Sequence, residues 1–285
     1  APYGPNGGKI MGLTSATIIV ITSGKGGVGK TTATANLGPA LALRGNRVLI
    51  IDTDIGLRNL DVVMGLENRI VYDLVQVLEG TCEAQQAMIR DRIAKNLYLI
   101  PAAQTRDKES VTGDQLKELC ESLRKDFEYI LIDSPAGIEH GFQTAIAPAD
   151  RAIVITTPEV SAVRDADRVI GLIESSGLPT PDLVLNRVRP ALIRHGDMMA
   201  KEDILSLLSV NLIGLVPEDE TIITSTNRGI PAVHDNRARS GAAFRRIATR
   251  IDGEDVPIVD LEQKEGIFSR LKQIVNFRGG ISSSG

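Results

Sequence analysis

A glycine-rich loop set directly between an apolar strand and a helix constrains this chain more than any other stretch. Residues 17–35 read TIIVITSGKGGVGKTTATA. The opening residues are apolar or β-branched, as a short strand requires, and the Thr- and Ala-rich end reads as a helix. Between them Gly24, four residues, Gly29, Lys30 and Thr31 complete a phosphate-binding loop. Closely spaced glycines let the backbone turn tightly and bring its N–H groups to an anion at the positive end of the following helix. Lys30 then reaches the β- and γ-phosphates, and Thr31 offers a hydroxyl to Mg²⁺. Nucleotide contacts are expected from Gly24, Lys25, Gly26, Gly27, Val28, Gly29, Lys30, Thr31 and Thr32.

Short apolar strands recur downstream, most of them ending in polar or acidic residues. They are expected at 47–51 (ending Asp52-Thr53-Asp54), 97–100, 128–132 (ending Asp133-Ser134-Pro135), 151–157, 182–185 (ending Asn186-Arg187) and 211–216 (ending Pro217-Glu218-Asp219). Helical patterns fall at 71–78, 115–125, 160–168, 220–227 and 240–251. Alternation of this kind implies a parallel sheet with crossover helices. The expected fold class is therefore α/β, a three-layer P-loop NTPase fold with a mostly parallel twisted sheet flanked by helices. Ligands gather at the carboxyl ends of such strands, which brings Asp52 and Asp54 near the phosphate loop; the plainer reading is two solvated loop acids. Asp133, ending an apolar strand downstream of a P-loop, has the Walker B arrangement that holds Mg²⁺ through its water shell. In the 115–125 helix, Leu116, Leu119, Cys120 and Leu123 share one face, so Cys120 is expected in the core.

A chain of 285 residues with 42% hydrophobic content suits one large α/β domain, placed at residues 17–260. Residues 1–16 are Gly- and Pro-rich and are set aside as a disordered extension; residues 261–285 form a linker and tail. A net charge of -4 and a pI near 5.5 argue against a general nucleic-acid coat and leave room for a local basic patch. The two cysteines, Cys82 and Cys120, have no metal-ligand spacing and read as buried thiols of a reducing compartment. No apolar run approaches the roughly 18 residues of a spanning helix.

The tail from Gly266 reads GIFSRLKQIVNFRGGISSSG. Ile267, Phe268, Leu271, Ile274 and Val275 fall on one face of a helix, with Phe277 at its edge and Arg270 and Lys272 flanking it. This amphipathic C-terminal helix fits a membrane interface, and on spacing alone it fits equally a helix docked on its own core.

The run Lys25-Gly26-Gly27-Val28-Gly29-Lys30-Thr31 resembles the deviant P-loop of the ParA/MinD family of ATPases, and DIGLRNLD at 54–61 is similar to its MinD branch. The resemblance implies an Mg²⁺-dependent ATP hydrolase with ATP and Mg²⁺ as cofactors. It further implies an ATP-sandwich homodimer in which Lys25 reaches the partner's nucleotide. Lys30 acts on the phosphates, Asp54 lies in switch I and orients the attacking water, and Asp52 supports the metal site; Thr31, Asp54 and Asp133 are the metal residues. Asn186 and Pro217, with Arg187 and Asp219 beside them, are implied at the base. Asp165 and Asp167 are implied in contacts with a MinC-like division inhibitor and a MinE-like activator, the plainer reading being local ion pairs on a solvated face. The tail is implied as a targeting helix for an anionic membrane, with the protein in the cytoplasm on the inner face of the cell membrane, or in a plastid stroma, and with no specific nucleic acid. A ParA-type DNA-partition ATPase is the alternative; it needs a basic DNA-binding patch and no such tail.

Overall fold

The computed structural model describes residues 15–106 and 111–261. The tail positions Ile267 to Phe277 and the first fourteen residues lie outside them. The sheet has eight strands: β1 (Thr17–Thr22), β2 (Val48–Asp52), β3 (Ile89–Arg90), β4 (Leu97–Ile100), β5 (Tyr129–Asp133), β6 (Arg151–Thr156), β7 (Asp182–Val188) and β8 (Asn211–Pro217). Their order across the sheet is β3-β4-β2-β5-β1-β6-β7-β8. All pairings are parallel except β3 with β4.

Both faces of the sheet are covered, which is why its central strands are apolar throughout instead of alternating. Ile18, Ile19, Val20 and Ile21 of β1 are all fully buried. One face carries α1 (Lys30–Leu43), α2 (Leu60–Val63), α10 (Thr221–Asn227) and α11 (Arg239–Ile251). The other carries α3 (Leu74–Leu78), α4 (Ala84–Ala87), α5 (Gly113–Leu123), α6 (His140–Ile146), α7 (Val160–Ser175), α8 (Pro190–His195) and α9 (Lys201–Leu208). The three-layer α/β expectation holds, and Leu116, Leu119, Cys120 and Leu123 are buried as their spacing predicts.

Local chemistry sets several boundaries differently from the sequence pattern. The helix expected at 71–78 begins only at Leu74, because Asp73 caps it and exchanges hydrogen bonds with Gln76. Strand β7 does not stop at Leu185: it runs on to Val188 through a register irregularity, with Arg187 at a φ of 54°. Asn186 and Arg187 therefore form a bulge inside a strand. Helices α2, α4, α6, α8 and α9 and the antiparallel strand β3 are not among the elements expected from the sequence.

Candidate nucleotide site

Strand β1 delivers the loop to the carboxyl edge of the sheet, and the glycines turn it. Gly27 and Gly29 have φ of 80° and 96°, the left-handed region that favours glycine. Gly29 precedes α1 with no side-chain cap, so the first-turn amides of α1 are not satisfied by a side chain. Thr31 and Thr32 follow in that first turn, half-buried.

The carboxylates converge beneath this loop. Lys30 is buried, and its Nζ stands 3.4 Å from Asp133 Oδ1. Thr34, one helical turn along, donates to the same oxygen at 2.9 Å. Asp52 is the register partner of Asp133 at the ends of β2 and β5. The Asp54 amide donates to Asp52 Oδ1 at 3.0 Å, and Thr53 donates through both its amide and its hydroxyl to the Asp133 carbonyl. Burial first, and then the neighbouring Asp133 carboxylate, push the Asp52 carboxyl well above the usual range.

Asp52 Oδ2 and Asp133 Oδ2 are both buried with no hydrogen-bond partner. Two orphaned carboxylate oxygens under a glycine cradle and an uncapped helix start fit a hydrated divalent cation carried on a phosphate chain. Among the described residues no group of three or more His, Cys, Asp or Glu forms a cage for a metal.

The surrounding loops are tied to the cradle. Gly137, at a φ of 93°, donates its amide to the Ser23 carbonyl at 3.0 Å, so the segment after Asp133 is hydrogen-bonded to the loop's first turn. After Asp54 the chain is held by Gly56, whose amide meets the Ala103 carbonyl at 2.9 Å. Asp61, at the end of DIGLRNLD, is fully buried and ion-paired with Arg58 at 3.0 Å. That aspartate thus anchors α2.

The base-side residues divide. Asn186 is buried, and its Nδ2 donates to the Val28 carbonyl at 2.8 Å, so it braces the phosphate loop. Pro217 is buried at the end of β8, and Arg187 is exposed beside Arg189, which pairs with Glu218 across the two strand ends. Asp219, expected at the base, spends its carboxylate on α10 and α11: Oδ1 accepts from the Thr221 amide, and Oδ2 accepts from the Ser240 amide and hydroxyl. Burial opposes its ionisation, but the hydrogen bonds from Ser240 and Thr221 outweigh it and hold Asp219 below the usual carboxylate range.

Helix α7 presses against the loop. A Cβ on Gly24 would stand 2.1 Å from the Asp165 carbonyl oxygen, and Lys25, itself exposed, donates from Nζ to Ser161 Oγ at 3.2 Å. Asp165 is half-buried here, whereas Asp167 is exposed. The sequence reading missed Thr34 and Ser161. Thr34 was accessible to it, standing four residues after Lys30 on the same helix face; nothing local marked Ser161.

Fold and site define a P-loop nucleotide-binding protein with a doubly covered, mostly parallel sheet. Residues 19–232 match the CobQ/CobB/MinD/ParA nucleotide binding domain. The chain is 53% identical over 263 residues to the septum site-determining protein MinD of Bacillus subtilis (strain 168), covering 91% of this chain and 98% of that one. Among solved structures, the MinC:MinD cell division protein complex of Aquifex aeolicus is 45% identical with a TM-score of 0.81, covering 86% of this chain and 99% of that one. MinD complexed with Mg-ADP from Pyrococcus horikoshii OT3 is 33% identical with a TM-score of 0.77, covering 84% and 96%. The chain belongs to the MinD family of septum site-determining ATPases.

Proposed function

We propose that this chain is an ATP-driven switch that positions the division site by moving on and off a membrane. The observation that carries the nucleotide chemistry is the convergence of Lys30, Thr34, Asp133 and Asp52 under the glycine cradle, with two buried carboxylate oxygens left without a hydrogen bond. Residues 17–260 act as the ATPase domain and 261–285 as a linker and membrane-targeting helix.

In this reading Lys30 and the amides at the start of α1 bind the β- and γ-phosphates. Thr31, Asp133 and Asp54 would hold Mg²⁺ at this point. When bound, Mg²⁺ supplies positive charge that offsets the charge of the phosphate chain. Asp54 orients the attacking water, and Asp52, whose carboxylate accepts the Asp54 amide hydrogen bond, supports the metal and nucleotide site. Asn186, Arg187 and Pro217 border the base, with Asn186 also bracing the loop from below. Lys25 stabilises charge on the transferring phosphoryl group of a partner subunit, which requires it to leave Ser161.

A MinC-like division inhibitor is the first partner, supported by the likeness to the solved MinC:MinD complex. A MinE-like activator stimulates hydrolysis and release, and Asp165 and Asp167 on α7 are proposed contacts for these partners. Among the described residues no helix is long and apolar enough to cross a membrane. Attachment is therefore assigned to the tail. Burial of its apolar face is offset by about 1 to 2 kcal/mol per residue of backbone ordering, so one tail binds weakly. Two tails on an ATP-dependent dimer gain avidity of roughly 10² to 10⁴-fold.

Sedimentation with anionic vesicles in ATP or ADP, beside a DNA shift assay at fixed salt, tests the reading. Vesicle binding with ATP and its loss with ADP are expected; nucleotide-independent binding to DNA with none to vesicles would favour the partition alternative. Truncation after Lys264 is expected to abolish vesicle binding while nucleotide still binds. Lys25→Ala is expected to keep nucleotide affinity within about threefold while removing partner-stimulated turnover, a drop of about 10² or more. Unchanged stimulated turnover would rule out its action in trans.

A further inference from the structure

We infer that the hairpin at the β3 edge of the sheet is a second contact with anionic lipid, separate from the C-terminal tail. It rests on the membrane association proposed above.

Four cations, Arg69, Arg90, Arg92 and Lys95, gather at this corner, and the backbone next to a fifth, Arg228, adjoins it. Arg69 Nη1 donates to the Arg90 carbonyl at 2.8 Å, Arg90 Nε donates to the Lys95 carbonyl, and Lys95 Nζ donates to the Arg92 carbonyl. The Arg92 guanidinium passes Gly65, where a Cβ would stand 2.4 Å from its Nη2, and Gly65 abuts Gly229, the residue after Arg228. All five side chains are exposed, and none is ion-paired with a described carboxylate. The acids nearby do little to offset them. Asp91 is buried and accepts the amides of Ile93 and Ala94, leaving Glu67 in the turn that carries Arg69. A chain of net charge -4 thus concentrates positive charge at one end of one edge.

The way these cations are held points to their partner. Arg69, Arg90 and Lys95 have committed donors to their own backbone, which leaves their charge free but reduces their capacity for bidentate recognition of single carboxylates or phosphates. Such a surface suits a diffuse field of charge. Ile93 stands 48% exposed at the tip of the β3–β4 turn, between Arg92 and Lys95. An apolar side chain on a protruding tip flanked by cations matches a headgroup layer, where each cation contributes about fivefold in affinity. Peptide recognition would favour a groove instead.

Position gives the contact a role. Leu261, at the start of the linker that precedes the tail, lines the same small cavity as Leu185, Val188 and Leu215 of β7 and β8, whereas β3 is at the other edge of the sheet. A hairpin contact in addition to the tail limits the orientations of the domain on the bilayer, which a single tether does not.

The test compares the full chain with the variant Arg90→Gln/Arg92→Gln/Lys95→Gln in ATP and Mg²⁺, on phosphatidylcholine vesicles with and without about 30% phosphatidylglycerol. The three side chains lie outside the nucleotide site, so ATP turnover without vesicles is expected to be unchanged. Affinity for the anionic vesicles is expected to fall more than tenfold, the difference is expected to fade near 0.5 M salt, and Arg90→Lys/Arg92→Lys is expected to bind like the parent. Neutral vesicles should not separate parent from variant. Equal binding of parent and triple variant to anionic vesicles would overturn the inference and leave the tail as the membrane contact. So would a variant that loses only DNA or acidic-peptide binding. A parent that binds no vesicle overturns the membrane reading itself.

Discussion

Replacing Lys30 with methionine is expected to lower ATP turnover by about 10³-fold or more and to change the pH dependence of folding stability. The first effect follows from losing the one lysine buried beneath the loop, where a preorganised cation acts in a water-poor site. The second follows from its position in the free protein. Lys30 Nζ is the cation beside Asp133, and Asp52 is the register neighbour of that carboxylate. Without it, the two acids face each other with only hydrogen bonds to offset their charge, at a cost of about 1 to 3 kcal/mol, which proton uptake limits.

The direction with pH is fixed by Asp52, whose folded-state pKa is raised by burial and by Asp133. The folded state then binds that proton more tightly than the unfolded state does. Its cost to stability is absent below the unfolded carboxylate pKa and grows as pH rises through the raised one. Removing the lysine cation, which acts to lower it, raises the Asp52 carboxyl further. Urea unfolding at pH 5 and pH 8 should therefore show the variant's deficit against the parent widening at the higher pH. A deficit independent of pH would mean that Lys30 stabilises the apo fold through packing of its stem alone.

Gly24→Ala is expected to be strongly damaging even though Gly24 has no left-handed φ. Its Cβ would meet the Asp165 carbonyl oxygen at 2.1 Å and carbonyl carbon at 2.3 Å, both backbone atoms within α7. No rotamer change relieves that contact, so either α7 or the loop moves, at about 2 to 4 kcal/mol. Nucleotide affinity is expected to fall at least 100-fold with it, since a shift of about 1 Å spoils an anion cradle. Gly26→Ala is the matched control: nothing lies within 4 Å of its Cβ, and its φ is not in the left-handed region. Thermal melts should leave Gly26→Ala near the parent and lower Gly24→Ala by several degrees. If both melt like the parent, the seat of the loop on α7 is softer than its close approach implies.

The two outcomes bear on how the nucleotide site communicates with the surface. The same helix that blocks a side chain at Gly24 carries Ser161, the hydroxyl that takes Lys25, and Asp167, exposed two residues beyond Asp165. A loop displaced by nucleotide or by a partner subunit therefore bears directly on α7, the surface proposed for the division inhibitor and the activator.

Much of this site was legible in the chain because its parts are local or repeat with a simple period. The cradle from Gly24 to Thr32 is contiguous, so the glycine positions, the lysine and the threonines can be read as one unit. Asp52 and Asp133 each end an apolar run, and two-sided burial of a parallel sheet makes such runs conspicuous. The antiparallel strand β3 and helices α6, α8 and α9 were not legible, because each spans only two to eight residues, too short for a repeat to stand out from the flanking loops. The bulge at Arg187 escaped for a related reason, since β8 dictates where β7 ends.

By itself the sequence determined the phosphate loop, the strand-end acids and the three-layer α/β class, since each depends on short-range spacing or on the polarity of a single element. Tertiary structure alone decided which side chains serve that loop. Asn186 braces Val28 across 158 positions, Lys25 meets Ser161 across 136, and Asp219 accepts from the Ser240 amide, 21 residues on. Contacts at such separations arise when sheet order folds distant segments together, and no local periodicity records which partner is brought within hydrogen-bond reach.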